Sequence, residues 1–353
     1  MSALLEARNV TKVFGGGIGR RTETVALRHF SFRIDADQPS ITGIVGESGS
    51  GKSTMARLLL GLETPSEGGV LFEGEDVRKL RTADRRRFRQ QVQAVFQDPF
   101  ESFNSLYKVD HVLQVPLQKF RLATGRADMQ RRMEAALAAV GLRPEETLGR
   151  YPHQLSGGQR QRIMVARALM LNPKLIIADE PVSMIDASLR AGVLASLRKL
   201  RDEFGISLVY ITHDLTTAYQ VCDNILVLYR GAVVEAGSAA LVVREPQHPY
   251  TRLLVNSIPW PDPDRLWADE GEPSPLAKQA QDERGCLFAR RCPHTFDRCL
   301  LEPPPFYRMR AEQAATCFLY GDAPELAFDR MNDLLVHADA PAAGVETPRK
   351  EVV

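Results

Sequence analysis

Nowhere in the 353 residues is there an apolar run of about 18, the length a helix needs to span a bilayer. Any attachment to a membrane must therefore come through partners. The start, Met1-Ser2-Ala3-Leu4-Leu5-Glu6-Ala7-Arg8, has neither the basic nor the apolar stretch of a secretory signal, so a cytoplasmic protein is expected. Excess charge is missing as well: 45 basic residues face 44 acidic ones for a net charge of +1, which leaves no electrostatic footprint for nucleic acid. The run Arg85-Arg86-Arg87 reads as a solvated helix face. Cysteine is scarce, and four of the five fall between 286 and 317. The length exceeds what one core usually organises, which predicts one large domain and a smaller appendage.

What is present begins with Gly46-Glu47-Ser48-Gly49-Ser50-Gly51-Lys52-Ser53-Thr54. A match to G-x-x-x-x-G-K-[ST] arises by chance in one chain on the order of once in a hundred. Its context agrees: Ile41 to Val45 is a short β-branched run suited to a buried strand, and Ser53 to Leu60 follows with helix formers. A glycine-rich turn between strand and helix aims backbone N–H groups and a helix N-terminus at phosphate. Gly46, Gly49 and Gly51 allow close backbone approach, Lys52 is expected to reach the β and γ phosphates, and Ser53 to ligate Mg²⁺.

Leu155-Ser156-Gly157-Gly158-Gln159 opens a second helix, Gln159 to Met170, whose N-terminus can receive an anion, so Ser156, Gly157 and Gly158 form a second phosphate site. His153 just before it reads as a turn hydrogen-bonder. Leu175 to Ala178 is a buried-strand run ending in Asp179-Glu180. Two adjacent carboxylates beside polyphosphate would repel each other without a cation. Asp179 is expected to hold Mg²⁺ and Glu180 to accept a proton from the attacking water. The strand Ser207 to Thr212 ends in His213.

Together these motifs resemble the nucleotide-binding subunit of ABC transporters over roughly the first 260 residues. The resemblance implies an α/β fold, a P-loop NTPase cassette with a RecA-like core, an antiparallel β subdomain and a helical signature subdomain at about 100–165. It implies that Phe14 stacks on adenine, although Phe14 could equally be core, and that Gln97 touches Mg²⁺ or the attacking water. It implies that His213 bonds the γ-phosphate and holds Glu180 and water in line, and that Asp186 reports across a dimer interface. Met184-Ile185 stands where the family commonly has Ala-Leu, and Ser105 where it often has proline. About sixty residues separate Gln97 from Ser156, enough for a small helical subdomain with Met133, Leu137 and Val140 in its core, but not for coiled-coil arms. Two cassettes, identical or paralogous, would close head to tail, with Ser156, Gly157, Gly158 and Gln159 of one facing ATP on the other. Two transmembrane permease subunits and an extracellular solute-binding protein complete the implied assembly. It would sit peripherally on the cytoplasmic face of the inner membrane.

Glu245-Pro246-Gln247-His248-Pro249-Tyr250-Thr251-Arg252-Leu253-Leu254 resembles the end of the cassette in oligopeptide and dipeptide importers, with oligosaccharide importers close behind. A soluble ABC ATPase of translation or repair would instead show tandem cassettes or long insertions, and a redox sensor would gate ATPase activity through the cysteines. The cassette is expected over 1–259, an extension over 260–330 after a Pro- and Asp-rich linker, and a disordered tail over 331–353. In the extension Cys286, Cys292, Cys299 and Cys317 follow a C-x5-C-x6-C-x17-C spacing, and a metal suits clustered cytosolic cysteines better than disulfides. Spacing alone leaves zinc, an iron–sulfur cluster and plain packing thiols open. The segment Gly285 to Pro293 resembles the peptide-importer extension, which implies a [4Fe–4S] cluster. Distance in sequence from every nucleotide motif predicts a structural role for it. Cys222 reads as a buried small hydrophobe.

Overall fold

Two sheets organise residues 3–15, 23–98, 103–258, 273–280 and 284–337, which the computed structural model describes. The Gly15 to Arg21 loop, the Phe100 turn, the linker from Trp260 and the tail beyond His337 lie wholly or partly outside these residues.

β1 (Ala3–Phe14) and β2 (Thr24–Asp35) pair antiparallel, and β3 (Ile41–Val45) begins the second sheet and feeds α1 (Lys52–Leu59) through the glycine-rich turn. β4 (Glu67–Phe72) and β5 (Glu75–Asp76) complete an antiparallel sheet ordered β2-β1-β4-β5. α2 (Thr82–Gln91) carries the arginine run on its exposed side, where Arg87 pairs with Glu73 at 2.5 Å, as expected of a solvated face.

β6 (Val92–Val95) precedes the helical block: α3 (Asp110–Lys119), α4 (Arg126–Ala139), α5 (Pro144–Thr147) and α6 (Gly157–Leu169). Met133, Leu137 and Val140 are buried there at the helical spacing read from the sequence. The chain then alternates strand and helix: β7 (Leu175–Asp179), α7 (Ala187–Phe204), β8 (Ser207–Thr212), α8 (Leu215–Val221) and β9 (Asn224–Tyr229). β10 (Ala232–Ser238), α9 (Ala239–Arg244) and α10 (Pro249–Asn256) follow, then α11 (Asp297–Leu301), β11 (Tyr307–Arg310) and β12 (Gln313–Ala315).

The main sheet runs β11-β12-β10-β9-β3-β8-β7-β6, and β9-β3-β8-β7-β6 are parallel. Its strands are apolar on both faces because both are covered. Ile176, Leu208, Tyr210 and Ile225 join the core under the helical block, while Ile177, Val209, Ile211 and Leu226 join the core shared with the antiparallel sheet. Each such side chain contributes about 1.5–3 kcal/mol on burial. Parallel strands put all their C-terminal ends on one edge, so the turns after β3, β6, β7 and β8 lie side by side.

The extension is not the separate unit that its composition suggested. β12 pairs antiparallel with β10 and β11 with β12, so the extension lengthens the cassette's own sheet. Glu235 on β10 is fully buried and accepts N–H from Gln247 (3.0 Å), from His248 (2.8 Å) and from the side-chain amide of Gln313 on β12 (2.8 Å). Burial pushes its carboxyl up even as these donors pull it down. Nor does the tail begin at 331. Phe328–Leu334 forms a 3-10 helix whose Met331 and Leu334 are buried in the core, and Asn224 exchanges two hydrogen bonds with Val336. Apolar residues persist to Val336, and only then does the Ala- and Pro-rich composition take over.

Candidate active site

The phosphate loop is shaped by positions where a side chain has no room. A Cβ on Gly46 would stand 2.2 Å from the Leu228 carbonyl oxygen, and Gly51, at φ +104°, would put one 2.3 Å from the Ala26 carbonyl oxygen. Gly49 has φ +80° and open space around it, so its need is conformational. Gly51 caps α1, and Lys52, Ser53 and Thr54 form its first turn. Ser48 is exposed on the loop, while the Ser50 hydroxyl is buried without a partner. The Lys52 ammonium is buried and donates to the carbonyls of Gly46 (2.7 Å) and Glu47 (2.8 Å). Burial lowers its pKa, and the charges of Glu180, Asp179 and Glu47 raise it.

The acids sit at the neighbouring strand ends. Ser53 stands near enough to the Asp179 carboxylate to lower its pKa, but burial, helped by Glu180, holds that carboxyl above the usual range. Two hard oxygen donors thus meet where Mg²⁺ would need them. Glu180 sits at φ +47°, a conformation that costs a non-glycine residue about 1–3 kcal/mol. Its N–H donates to the Ile211 carbonyl at 2.8 Å, and Oε1 lies 2.9 Å from His213 Nδ1. With the proton on Nδ1, His213 donates to Glu180 and leaves Nε2 free to face substrate. Gln97 is exposed two residues beyond β6, on the strand that pairs with β7, at the same sheet edge. Phe14 is 41% exposed with the Lys12 ammonium 4.8 Å from its ring, which removes the core alternative.

Ser156 caps α6: its hydroxyl accepts from the Gln159 N–H at 3.2 Å, and the Gln159 side chain accepts from the Ser156 N–H at 2.9 Å. This reciprocal box leaves Ser156 exposed at a helix N-terminus. Cβ positions built on Gly157 and Gly158 approach Met184, Ile185 and Leu189, so the signature turn rests on the segment carrying exposed Asp186. Among the described residues no hydrogen bond joins Ser156, Gly157, Gly158 or Gln159 to the Lys52, Asp179, Glu180 and His213 group.

Far along the sequence, Cys286, Cys292, Cys299 and Cys317 line one narrow cavity with His248, Phe288 and Phe318. Burial pushes the Cys286 and Cys317 thiols up to about 12, and the other cysteines push them in the same direction. Among the described residues no group of His, Cys, Asp or Glu side chains is arranged to hold a single metal ion. The cysteines converge, but not at the close spacing that a zinc with sulfurs about 2.3 Å away requires. Cys222 is buried as a small hydrophobe.

The sequence reading missed what touches Glu47. Its N–H donates to Tyr250 Oη at 2.9 Å, and its carboxylate takes two bonds of 2.9 Å from Arg291, 244 residues away. Arg291 adjoins Cys292, so the expected remoteness of the cysteine segment from the nucleotide motifs does not hold. No local pattern announces a pair so far apart.

Residues 27–183 match the ABC transporter family, and residues 234–299 match the oligopeptide/dipeptide transporter C-terminal region. A putative peptide import ATP-binding protein of Brucella ovis is 40% identical over 80% of this chain and 89% of its own length. The oligopeptide transport ATP-binding protein OppF of Haemophilus influenzae is 37% identical over 83% and 88%. A probable peptide ABC transporter ATP-binding protein of Sinorhizobium fredii is 39% identical over 91% of both. Among solved structures, a dimeric ATP-binding cassette in a post-hydrolysis state with ADP and phosphate superposes with a TM-score of 0.58 at 29% identity, over 67% of this chain and 98% of that one. With this site geometry and these identities, the chain belongs to the ATP-binding subunits of ABC transporters, in the oligopeptide and dipeptide importer family.

Proposed function

We propose that this chain hydrolyses ATP to power the import of oligopeptides or dipeptides, working as one of two cassettes beneath two permease subunits. The observation that carries the reading is the Glu180–His213 pair at 2.9 Å, set at the same strand ends as Lys52 and the Ser53–Asp179 pair. Arriving phosphates let Lys52 exchange two neutral carbonyls for anionic oxygens, which adds ion-pair attraction to hydrogen bonds whose donor is already charged. Glu180 takes the proton of the attacking water while His213 holds its other side; to donate to the γ-phosphate as well, His213 needs a second proton, on Nε2. Ser53 and Asp179, with Gln97 at the same sheet edge, would hold Mg²⁺, which would neutralise charge on the phosphates. Phe14 offers a ring face to adenine.

Ser156 and Asp186 are exposed, and the turn they flank with Gly157, Gly158 and Gln159 would meet the ATP of a second cassette, identical or paralogous. A cleft of about 480 Å³, lined by Phe96, Phe103, Tyr107, His111, Val115 and Arg167, follows directly on Gln97 and suits a helix from a permease subunit. An extracellular solute-binding protein would deliver the peptide, and the chain would lie peripherally on the cytoplasmic face. We read Cys286, Cys292, Cys299 and Cys317, which line one cavity, as the ligands of a [4Fe–4S] cluster, which spreads its four thiolates wider than one zinc ion does. The cluster would supply cross-linking of the extension.

Glu180→Gln should cut turnover about 10²–10⁴-fold while ATP stays bound, because a general base acts in the chemical step. Near-normal steady-state hydrolysis would overturn that role. Ser156→Arg should spare ATP binding by the single chain and block hydrolysis in the assembled complex.

A further inference from the structure

Every polar group of Glu47 is engaged. The N–H goes to Tyr250 Oη, the carbonyl accepts from Lys52 at 2.8 Å and from the Ser50 N–H at 3.2 Å, and the carboxylate takes both arms of Arg291. The two outer partners are themselves fixed. Tyr250 is fully buried, with its ring 4.5 Å from Tyr229 and 5.5 Å from Phe288 between centroids. The Arg291 guanidinium lies over the same two rings, at 5.9 and 5.6 Å. Both come from the segment that follows the cassette's sheet. Both bear on Glu47, one of the two loop residues whose carbonyls hold the phosphate-binding lysine.

We propose that Arg291 and Tyr250 are positioning residues for ATP: through Glu47 they set the phosphate loop and cancel a carboxylate that polyphosphate would otherwise meet. The inference rests on nucleotide binding at that loop. An ion pair with both partners 40% exposed adds little to fold stability, so its effect belongs to the placement and charge of Glu47. The two-pronged geometry is specific to a guanidinium, since a lysine offers only a point charge.

Arg291→Ala should raise the KM for ATP about tenfold, change kcat less than twofold, and leave Tm and iron content as in the parent. Arg291→Lys should fall between the two, with the charge kept and the fork lost. In a Glu47→Gln background the same Arg291→Ala change should move KM less than twofold, because no carboxylate is left to cancel. Tyr250→Phe should also raise KM, since the Glu47 N–H loses its acceptor. An unchanged KM in Arg291→Ala overturns the proposal. So does a rise of equal size in the Glu47→Gln background, or one accompanied by lost iron or a lower Tm, either of which would trace the effect to the fold of the extension. Lys52→Ala serves as the control for the underlying reading: if it leaves ATP binding intact, the loop is not the nucleotide site at all, a failure distinct from that of Arg291.

Discussion

The phosphate loop and the cysteine cavity are both cation-and-anion devices, built from opposite materials. The loop is main chain: glycines whose neighbours are backbone carbonyls, a helix start, and one lysine parked on two carbonyls. Its shape stands before any ligand arrives. The cavity is side chain: four thiols against an apolar wall, where burial raises the pKa of Cys286, Cys292 and Cys317. Its charge exists only once a cation has displaced the thiol protons. The first is preorganised and the second conditional, although Glu47 and Arg291 tie one to the other.

The sharpest way to break the comparison is at Gly51. An added methyl meets the Ala26 carbonyl oxygen at 2.3 Å on a backbone that alanine rarely adopts, so Gly51→Ala should cost about 3 kcal/mol, or roughly a hundredfold in ATP affinity. Equilibrium binding of a fluorescent ATP analogue checks this. At the conditional site, the proposed cluster predicts about four irons per chain in anaerobically purified protein, and Cys317→Ser should bring that well below one with the brown absorption lost. ATP affinity should move far less than in Gly51→Ala, as titration of the same preparation would show.

A smaller effect is expected where the extension is stitched to the cassette's sheet. Glu235→Ala strands the N–H groups of Gln247 and His248 and should lower stability by about 1–3 kcal/mol, read from urea unfolding. Last, pH should separate the two cation sites. Thiols at about 12 must give up protons to bind metal, so reconstitution of the proposed cluster from equal ferric and ferrous iron with sulfide should improve from pH 7 to pH 8. Asp179 is raised only from the carboxylate range, so Mg²⁺ activation should stay flat over that interval and weaken toward acid pH.

The same contrast decides what could be read from the chain. Lys52, Ser53, Asp179, Glu180 and His213 were legible because each follows a strand that its own residues announce, and a parallel sheet delivers such strand ends to one edge. The convergence of four cysteines was legible as a composition, but its wall of His248, Phe288 and Phe318 was not, since these belong to three different segments. The Glu47 contacts were out of reach for the same reason. Strands β11 and β12 are four and three residues long, too short for any periodicity to stand out, so their addition to the sheet went unread.

That addition sets the smallest piece of this protein that can exist alone. Cutting the chain after α10 would remove β12 from β10 and uncover a row of unpaired amides and carbonyls along the sheet margin, a template for self-association. It would also strip Phe306, Ala314, Met331 and Leu334 from the core against which the antiparallel sheet packs. A shortened cassette should therefore precipitate or recruit a foreign strand, and swapping cassettes between transporters means moving the margin of the sheet along with the motifs.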